Sequence, residues 1–223
     1  RQRQMCIRDR CGEKLATEEL FPTGGHTLVQ CVTYSGHSPF IIPEESKRIS
    51  FSDKLPERLR NYMVVANYTD YAIGQFITFL RSQKKFENTM IVITGDHEGF
   101  GLTRKPLYEH ALGKDIISPE RFTPLIVLNS PVHLRYEKVM GQVDLYPTLL
   151  DLLGADDYPW RGLGESILSS GKKAFAISPQ MEIIGDTVGV STAEIQHAKD
   201  AWRVSDLIIS CDYFAHGRTG DKK

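Results

Sequence analysis

Asp96 and His97 stand side by side in the stretch VITGDHEGFG, directly after an uncharged run that is typical of a buried strand. A carboxylate oxygen and an imidazole nitrogen form a mixed ligand set that suits Zn²⁺ or Mn²⁺ better than Mg²⁺ or Ca²⁺. Neighbouring side chains of a strand point to opposite faces, so both can reach one ion only if the chain turns there, and Gly95 and Gly99 permit such a turn. The pair therefore indicates a metal corner, with a capping Asp and an unrelated loop His as the alternative.

His37 is a third residue suited to chemistry, and it follows another apolar run in TLVQCVTYSGHSPF. The run from Thr27 to Tyr34 predicts a strand, and the Ser-Gly-His-Ser-Pro cluster predicts a turn after it. An imidazole in such a place can protonate a leaving group or donate a hydrogen bond to an oxyanion. On position alone, a histidine in a surface turn is the simpler interpretation.

Alternating strands and helices would position these residues. Apolar residues recur at helical spacing after Pro56 and predict a long helix that ends in a basic turn. The stretch from Met90 to Thr94 predicts a strand covered on both faces, and TPLIVLNSP predicts another. A strand, a helix and a strand suggest a parallel βαβ unit, whose strands end at one rim of the sheet. We therefore expect an α/β fold, a mostly parallel sheet sandwiched by helices, with the histidine and the Asp-His pair at the same rim.

The C-terminal part of the sequence has a different pattern. GQVDLYPTLLDLLGA predicts a short helix with Asp144 as its cap. Beyond it, KKAFAIS, MEIIGDTVGV and WRVSDLIISCDYF have the pattern of strands around a helix at Thr192 to Ala201. We expect residues 169–223 to form a smaller α+β portion of the domain whose main part is residues 11–168.

Composition excludes several classes of partner. The 223 residues carry 27 basic and 28 acidic side chains, for a formal net charge of −1, so no basic face indicates nucleic acid. The apolar runs are far shorter than the roughly 20 residues that span a bilayer. The four cysteines lack C-x-x-C spacing, and Cys31 lies in an apolar run that predicts a buried thiol. Residues 1–10, RQRQMCIRDR, have no apolar periodicity and are interpreted as a tail foreign to the domain, with a basic surface segment as the alternative.

The order of these signals resembles a known family. TYSGHSPF, NYTDYAIGQFITFL, TMIVITGDHEG, TPLIVLNSP and GQVDLYPTLLDLLG follow one another as in the second half of the sulfatase-like catalytic domain of the alkaline phosphatase superfamily. Among its members, the chain is most similar to phosphoglycerol transferases of the lipoteichoic acid synthase type, over residues 27–165. The GDH motif and the GQVDLYPTLLDLLG segment at this separation are the most specific part of the resemblance.

The resemblance implies a role for each candidate residue. Asp96 and His97 would supply two ligands to one catalytic divalent ion, Mn²⁺ or Zn²⁺ before Mg²⁺ or Ca²⁺. Such an ion withdraws charge from the ester oxygens and lowers the pKa of the nucleophile. His37 would be catalytic, beside the reacting phosphoryl or sulfuryl group. Lys105, in RKPLYEH, would contact the anionic ester, and an exposed basic loop is the alternative interpretation.

The activity that the resemblance implies is metal-dependent transfer or hydrolysis at a phosphate or sulfate ester. Phosphoglycerol transfer from a lipid donor to a cell-envelope glycan or lipid is the first expectation, sulfate-ester hydrolysis the second, and a non-catalytic sensor or binding module the third. The family's nucleophile and its remaining acidic ligand are not matched in this sequence, so we expect an inactive C-terminal fragment. The full-length protein would sit in the cell membrane through N-terminal helices, with an extracytoplasmic catalytic domain.

Overall fold

A computed structural model of the chain describes residues 25–33, 36–101, 104–155, 157–159 and 162–213. The chain divides into two units, one ending at Asn129 and the other beginning at Ser130. Each unit combines helices with one pair of short antiparallel strands, so the predicted mixture of helices and strands is present, while the mostly parallel sheet sandwiched by helices stays a prediction. The domain boundaries expected at residues 10 and 168 stay predictions, and the tail of residues 1–10 lies outside the described part of the chain.

The main element of the N-terminal unit is the long helix α1 (Glu57–Arg81), which confirms the helix predicted after Pro56. Pro56 is the N-cap, just ahead of the first helical N–H groups, which have no partner within a helix. Arg81 lies in the last turn, where a cation interacts favourably with the helix dipole. Four apolar side chains are buried along α1 and anchor it in the unit: Leu59, Val64, Val65 and Leu80.

Strands β1 (Ile91–Thr94) and β2 (Leu125–Leu128) follow α1 and pair with each other in antiparallel register. Both strands were predicted from their apolar runs, although β1 is partly buried rather than covered on both faces. The segment between them contains the short helix α2 (Arg104–Tyr108) and a 3-10 turn at Gly113–Asp115. The candidate metal pair thus begins this connecting segment.

The strand expected from Thr27 to Tyr34 is a wrong prediction for the described residues. Residues 27–33 contain no strand, Tyr34 lies outside the described part, and the side chains of Leu28 and Val32 are almost fully exposed. Apolar β-branched residues form a strand only when another strand pairs with their backbone, and no described strand does so here. The parallel βαβ unit built on this run is therefore also wrong, and Cys31 is an exposed thiol rather than a buried one.

The C-terminal unit holds helices α3 (Leu145–Leu152) and α4 (Thr192–Ser210) and the antiparallel strands β3 (Phe175–Ile177) and β4 (Ile183–Gly185). The expected helix at residues 192–201 is confirmed, but the strand predicted after it is wrong because the helix continues to residue 210. The more buried side chains of this segment recur every three or four residues, which is the period of a helix. The Trp202 indole N–H also donates to the Ile177 carbonyl and fixes α4 to β3.

A capping box opens α4. The Ser191 hydroxyl oxygen accepts the Glu194 N–H at 3.2 Å, while the Glu194 carboxylate accepts the N–H and the hydroxyl of Ser191, each at 2.7 Å. These hydrogen bonds to the ionised form lower the pKa of Glu194. Two N–H groups without a helical partner are thereby satisfied at the start of the helix.

A buried polar network connects the start of α3 to residues 164–172. Asp144 is the N-cap of α3, as predicted, but its side chain does not cap that helix. Its carboxylate accepts the N–H of Gly141 at 2.8 Å and of Glu165 at 2.9 Å, and it pairs with the Lys172 ammonium at 3.1 Å. The Asp144 and Lys172 side chains are only 6% and 8% exposed. The network therefore gives a buried carboxylate three partners.

Glycine at position 164 permits this arrangement. A Cβ there would lie 1.9 Å from the carbonyl oxygen of Val143, a distance that no side chain can accept. The close approach of the two backbones brings the Glu165 N–H to the Asp144 carboxylate. One turn further along α3, Thr148 donates to the Asp144 carbonyl at 2.6 Å and accepts the Ile167 N–H at 3.1 Å. The two segments are thus joined at successive positions.

No helix in the described part of the chain combines the length and apolar character needed to cross a bilayer.

Candidate metal site

The side chains of Asp96 and His97 converge just after the end of β1. Asp96 Oδ1 and His97 Nε2 lie 3.8 Å apart, and the two side chains are 88% and 66% exposed. An ion with bonds of about 2.0–2.2 Å to each atom can bridge that separation. The turn that brings both side chains to one side takes place at Gly95, where a Cβ would lie only 3.2 Å from the Thr123 side chain.

The imidazole of His97 is oriented by its own backbone. Its Nδ1 lies 2.8 Å from the Glu98 carbonyl oxygen, and because a carbonyl can only accept, Nδ1 carries the proton. In the neutral ring, Nε2 then presents its lone pair toward Asp96. This hydrogen bond and the negative charge of Asp96 raise the pKa of His97 above 6.5. A histidine ligand with its second nitrogen bound to a carbonyl is the arrangement that metal sites use to fix the ring.

The donor set fits part of a divalent-metal site. One carboxylate oxygen and one oriented imidazole nitrogen are ligands that Zn²⁺ and Mn²⁺ accept, and both are open to solvent. Within the described ranges, no cluster of three or more His, Cys, Asp or Glu side chains could surround an ion. The corner therefore offers two ligands.

His37 lies on an exposed turn that closes with a hydrogen bond from the Phe40 N–H to the His37 carbonyl at 3.1 Å. Its Nδ1 lies 2.7 Å from the Ser38 carbonyl oxygen and donates to it. The ring is thus oriented in the same way as that of His97, by the carbonyl of the following residue. Neutral His37 consequently carries its lone pair on Nε2, the nitrogen that can exchange a proton with a ligand.

Three aromatic rings connect the His37 turn to the Asp96–His97 corner. The ring of Tyr62, on α1, is 5.3 Å from that of Phe40 and 4.4 Å from that of Phe100, measured between centroids. The rings of Phe40 and Phe100 are 5.8 Å apart. Phe40 follows His37 by three residues and Phe100 follows His97 by three, so one cluster anchors both segments. We call these three residues the aromatic clamp.

The backbone at both phenylalanines is unusual. Phe40 has a φ of 63° and Phe100 has a φ of 69°, in the left-handed region that residues with a side chain rarely adopt. Such conformations persist only where the surrounding packing determines them, and both rings are buried against Tyr62. Gly99 provides room, since a Cβ there would lie 3.2 Å from the Tyr62 hydroxyl oxygen. The clamp thus holds two strained turns in place.

Replacing Tyr62 by leucine is expected to lower the free energy of unfolding by about 1–3 kcal/mol, because two aromatic contacts worth roughly 0.5–1.5 kcal/mol each are lost. The amide NMR signals of residues 37–40 and 96–100 should shift together. Tyr62→Phe should preserve both signals and stability. Tyr71→Leu, at an exposed position of the same helix, is the matched control. Shifts confined to one of the two segments would show that the clamp does not connect them.

Lys105 lies on α2, beside a cavity of about 160 Å³. Its ammonium is 3.8 Å from the Glu109 carboxylate, one helical turn away, and its side chain is exposed. The sequence indicated Lys105 alone, but the cavity is also lined by two arginines, Arg104 and Arg121. Their contribution was not predicted, although Arg104 is next to Lys105 in the sequence, because Arg121 reaches the cavity from 16 residues away along the chain. Tyr62 was missed for the same reason.

Comparison with known proteins shows the family to which the chain belongs. The family model described as Sulfatase matches residues 13–155, which is more than half of the chain, and the matched range contains His37, Asp96 and Lys105. The chain belongs to the sulfatase family.

Two relatives define the type of domain within that family. Lipoteichoic acid synthase-like YvgJ of Bacillus subtilis (strain 168) is 32% identical over 155 residues, which cover 66% of this chain and 25% of the relative. Lipoteichoic acid synthase of Staphylococcus aureus (strain USA300) is 30% identical over 146 residues, which cover 63% of this chain and 22% of the relative. The resemblance to a sulfatase-like domain of the lipoteichoic acid synthase type is confirmed, and the chain spans about a quarter of the length of these relatives.

Proposed function

We propose that the chain is part of a metal-dependent enzyme that acts on phosphate or sulfate esters, and that its reaction is phosphoglycerol transfer from a lipid donor to a cell-envelope glycan or lipid. The observation that carries the proposal is the convergence of a carboxylate oxygen and an oriented imidazole nitrogen after β1, in a chain of the sulfatase family. One relative is a lipoteichoic acid synthase and the other a lipoteichoic acid synthase-like protein, which supports transfer over hydrolysis.

Asp96 and His97 would hold one divalent ion, with Mn²⁺ or Zn²⁺ favoured over Mg²⁺ or Ca²⁺ because one of the two ligands is a nitrogen. When bound, such an ion supplies Lewis-acid chemistry by withdrawing charge from the ester oxygens. The hydrogen bond from His97 to the Glu98 carbonyl keeps Nε2 directed toward Asp96, so neither ring rotation nor a change of tautomer is needed for binding.

His37 would act on the group that leaves or enters during transfer. Its Nδ1 donates to the Ser38 carbonyl, so Nε2 is the nitrogen that gives up or takes up a proton. The imidazolium form can protonate a leaving alkoxide, and the neutral form can accept a proton from an incoming hydroxyl. Lys105 would attract the anionic substrate from its exposed position beside the cavity.

The same family resemblance supports a proposal for the setting of the reaction. We place it at the extracytoplasmic face of the cell membrane, where a lipid-linked or glycan ester is the substrate and nucleic acid is not. The near-balanced charge of the chain supports the absence of a nucleic-acid role. In the whole protein, β1 and β2 would belong to a larger sheet whose strands are mostly parallel. Because β1 and β2 pair in antiparallel register, that sheet would be mixed.

Turnover of two chromogenic esters by the whole protein would test this proposal. A p-nitrophenyl phosphodiester should react at least about tenfold faster than p-nitrophenyl sulfate, a ratio equivalent to roughly 1.4 kcal/mol of transition-state preference. His37→Ala should lower kcat, while His197→Ala, an exposed histidine on α4, should not.

Three results would contradict parts of the proposal. Faster reaction of the sulfate ester would favour the sulfatase alternative, which membership of the sulfatase family supports. Wild-type kcat in His37→Ala would remove that residue from the catalytic list. Turnover of neither ester by a protein that binds metal would favour a sensor or binding module.

A further inference from the structure

We infer that the cavity at α2 is a second anion site, which binds a phosphate or sulfate group of the substrate other than the reacting one. This inference rests on the proposed function for the identity of the ligand. The cavity has a volume of about 160 Å³, less than the roughly 300–1,000 Å³ of sites that enclose a drug-sized ligand, so it suits a single small group. Six residues line it: Gly101, Arg104, Lys105, Tyr108, Pro119 and Arg121.

Arg104 is the central cation of this cavity. Its Nη2 donates to two backbone carbonyls, those of Ser118 and Glu120, which hold the guanidinium in place. Its Nε–H is buried and has no hydrogen-bond partner among the described residues. Neutral carbonyls fix the side chain without cancelling its charge, and no described carboxylate pairs with it. A planar, oriented and uncompensated guanidinium is the group that recognises phosphate and sulfate best.

The other two cations of the cavity each pair with a carboxylate. Lys105 pairs with Glu109 and Arg121 pairs with Glu98, each at 3.8 Å, and both basic side chains are largely exposed. An ion pair between exposed side chains contributes little to stability, so Lys105 can turn from Glu109 toward an anion at small cost. The Tyr108 hydroxyl adds a neutral donor to the same wall. The cavity is thus lined by three cationic side chains, of which only Arg104 has no described carboxylate partner, and by one hydroxyl.

The position of the cavity indicates that its ligand belongs to the same substrate as the reacting ester. Gly101, a lining residue of the cavity, follows His97 by four residues, and Arg121 on the cavity wall pairs with Glu98, which directly follows His97. A substrate that fills both places must carry a second anionic group near the ester that reacts. Such a group is supplied either by the headgroup of an anionic lipid in a membrane or by a soluble chain with more than one phosphate.

Phosphate binding to the 223-residue chain would test this site directly. Inorganic phosphate, titrated at low ionic strength in the presence of EDTA and followed by NMR, should saturably shift the amide signals of Gly101 and Tyr108. Arg104→Gln should weaken binding by about tenfold or more, as expected when a hydrogen bond to a charged group is lost. Arg203→Gln, at an exposed position of α4, should bind phosphate as the wild type does. Lys105→Gln serves as a second variant because its side chain is exposed and its loss should not affect folding.

Two further measurements test whether the site is independent of the metal corner and whether its anion comes from a lipid or from a soluble phosphate. Asp96→Ala should leave phosphate binding unchanged, so a failure of the metal assignment would not affect this result. Binding to vesicles of phosphatidylglycerol, but not of phosphatidylcholine, that exceeds binding to glycerol 3-phosphate would assign the anion to a lipid headgroup. Equal or weaker vesicle binding would assign it to a soluble phosphate. Absence of a saturable shift, or equal phosphate affinity in wild type, Arg104→Gln and Lys105→Gln, would overturn the inference.

Discussion

Replacing Asp96 by alanine is expected to abolish the selective broadening by Mn²⁺ of the amide NMR signals of residues 96–100. The paramagnetic ion broadens the signals of nearby nuclei at substoichiometric concentration, so it detects weak binding by a site with two ligands. Loss of a second-shell partner alone typically weakens metal binding about 10–100-fold, and loss of one of two direct ligands should exceed that. The titration is best done on the alkaline side of neutrality, because a histidine ligand must be neutral and the pKa of His97 is raised.

Because both candidate ligands are exposed, their substitution should change metal binding without changing the fold. Asp96 and His97 are both largely open to solvent, so substitution of either removes little packing, and the variants should keep wild-type stability. His97→Ala should give the same loss of broadening. His197→Ala, on α4, removes an exposed histidine of the other unit and should leave the broadening intact. Equal broadening in wild type, Asp96→Ala and His97→Ala would show that this corner does not bind metal.

Replacing Asp144 by alanine is expected to lower the free energy of unfolding by about 3–5 kcal/mol, the usual cost of removing one partner from a buried ion pair. The substitution leaves the Lys172 ammonium buried without its carboxylate, and it removes the acceptor of the Gly141 and Glu165 N–H groups. Burial, together with the charges of Asp144 and Glu165, raises the pKa of the Tyr136 phenol. Urea denaturation measures the loss of stability.

Two further variants define the origin of this effect. Lys172→Met should cost less than Asp144→Ala, because the carboxylate that remains still accepts two backbone N–H groups. Glu137→Ala breaks the ion pair with Arg135 in the same unit, at 3.1 Å but with side chains 89% and 72% exposed, and should cost at most about 1 kcal/mol. If Asp144→Ala cost no more than Glu137→Ala, the buried network would have no special role in stability.

Short sequence patterns predicted the helices better than the strands, because a helix forms its hydrogen bonds within one segment of the chain. The helix after Pro56 was predicted from its periodicity because a helix satisfies its hydrogen bonds within one segment. The run at residues 27–33 has the composition of a strand but not the structure, because a strand depends on a partner that composition does not reveal. The end of α4 was mistaken for a strand because apolar residues at LIIS hide the three-to-four-residue period that its burial shows.

For the candidate site, the sequence indicated the residues that lie together in one motif but not those that come from distant segments. Adjacent Asp96 and His97 indicated a metal corner because both candidate ligands lie in one motif. Each of the two histidine rings is oriented by a hydrogen bond to the backbone carbonyl of the following residue. Every residue has such a carbonyl, so the sequence does not predict this hydrogen bond. Arg121 and Tyr62 reach the cavity and the clamp from distant segments, so only the folded chain brings them to the site.

The aromatic clamp has a consequence for motion. Because Phe40 and Phe100 share one partner in Tyr62, the His37 turn cannot swing away without uncovering the ring beneath the Asp96–His97 corner. Their left-handed backbones would relax toward ordinary conformations once the rings separate. The two segments should therefore open and close as one unit, with a common exchange rate on the microsecond-to-millisecond timescale that relaxation-dispersion NMR observes. Proton transfer and metal binding would then be available in the same closed state.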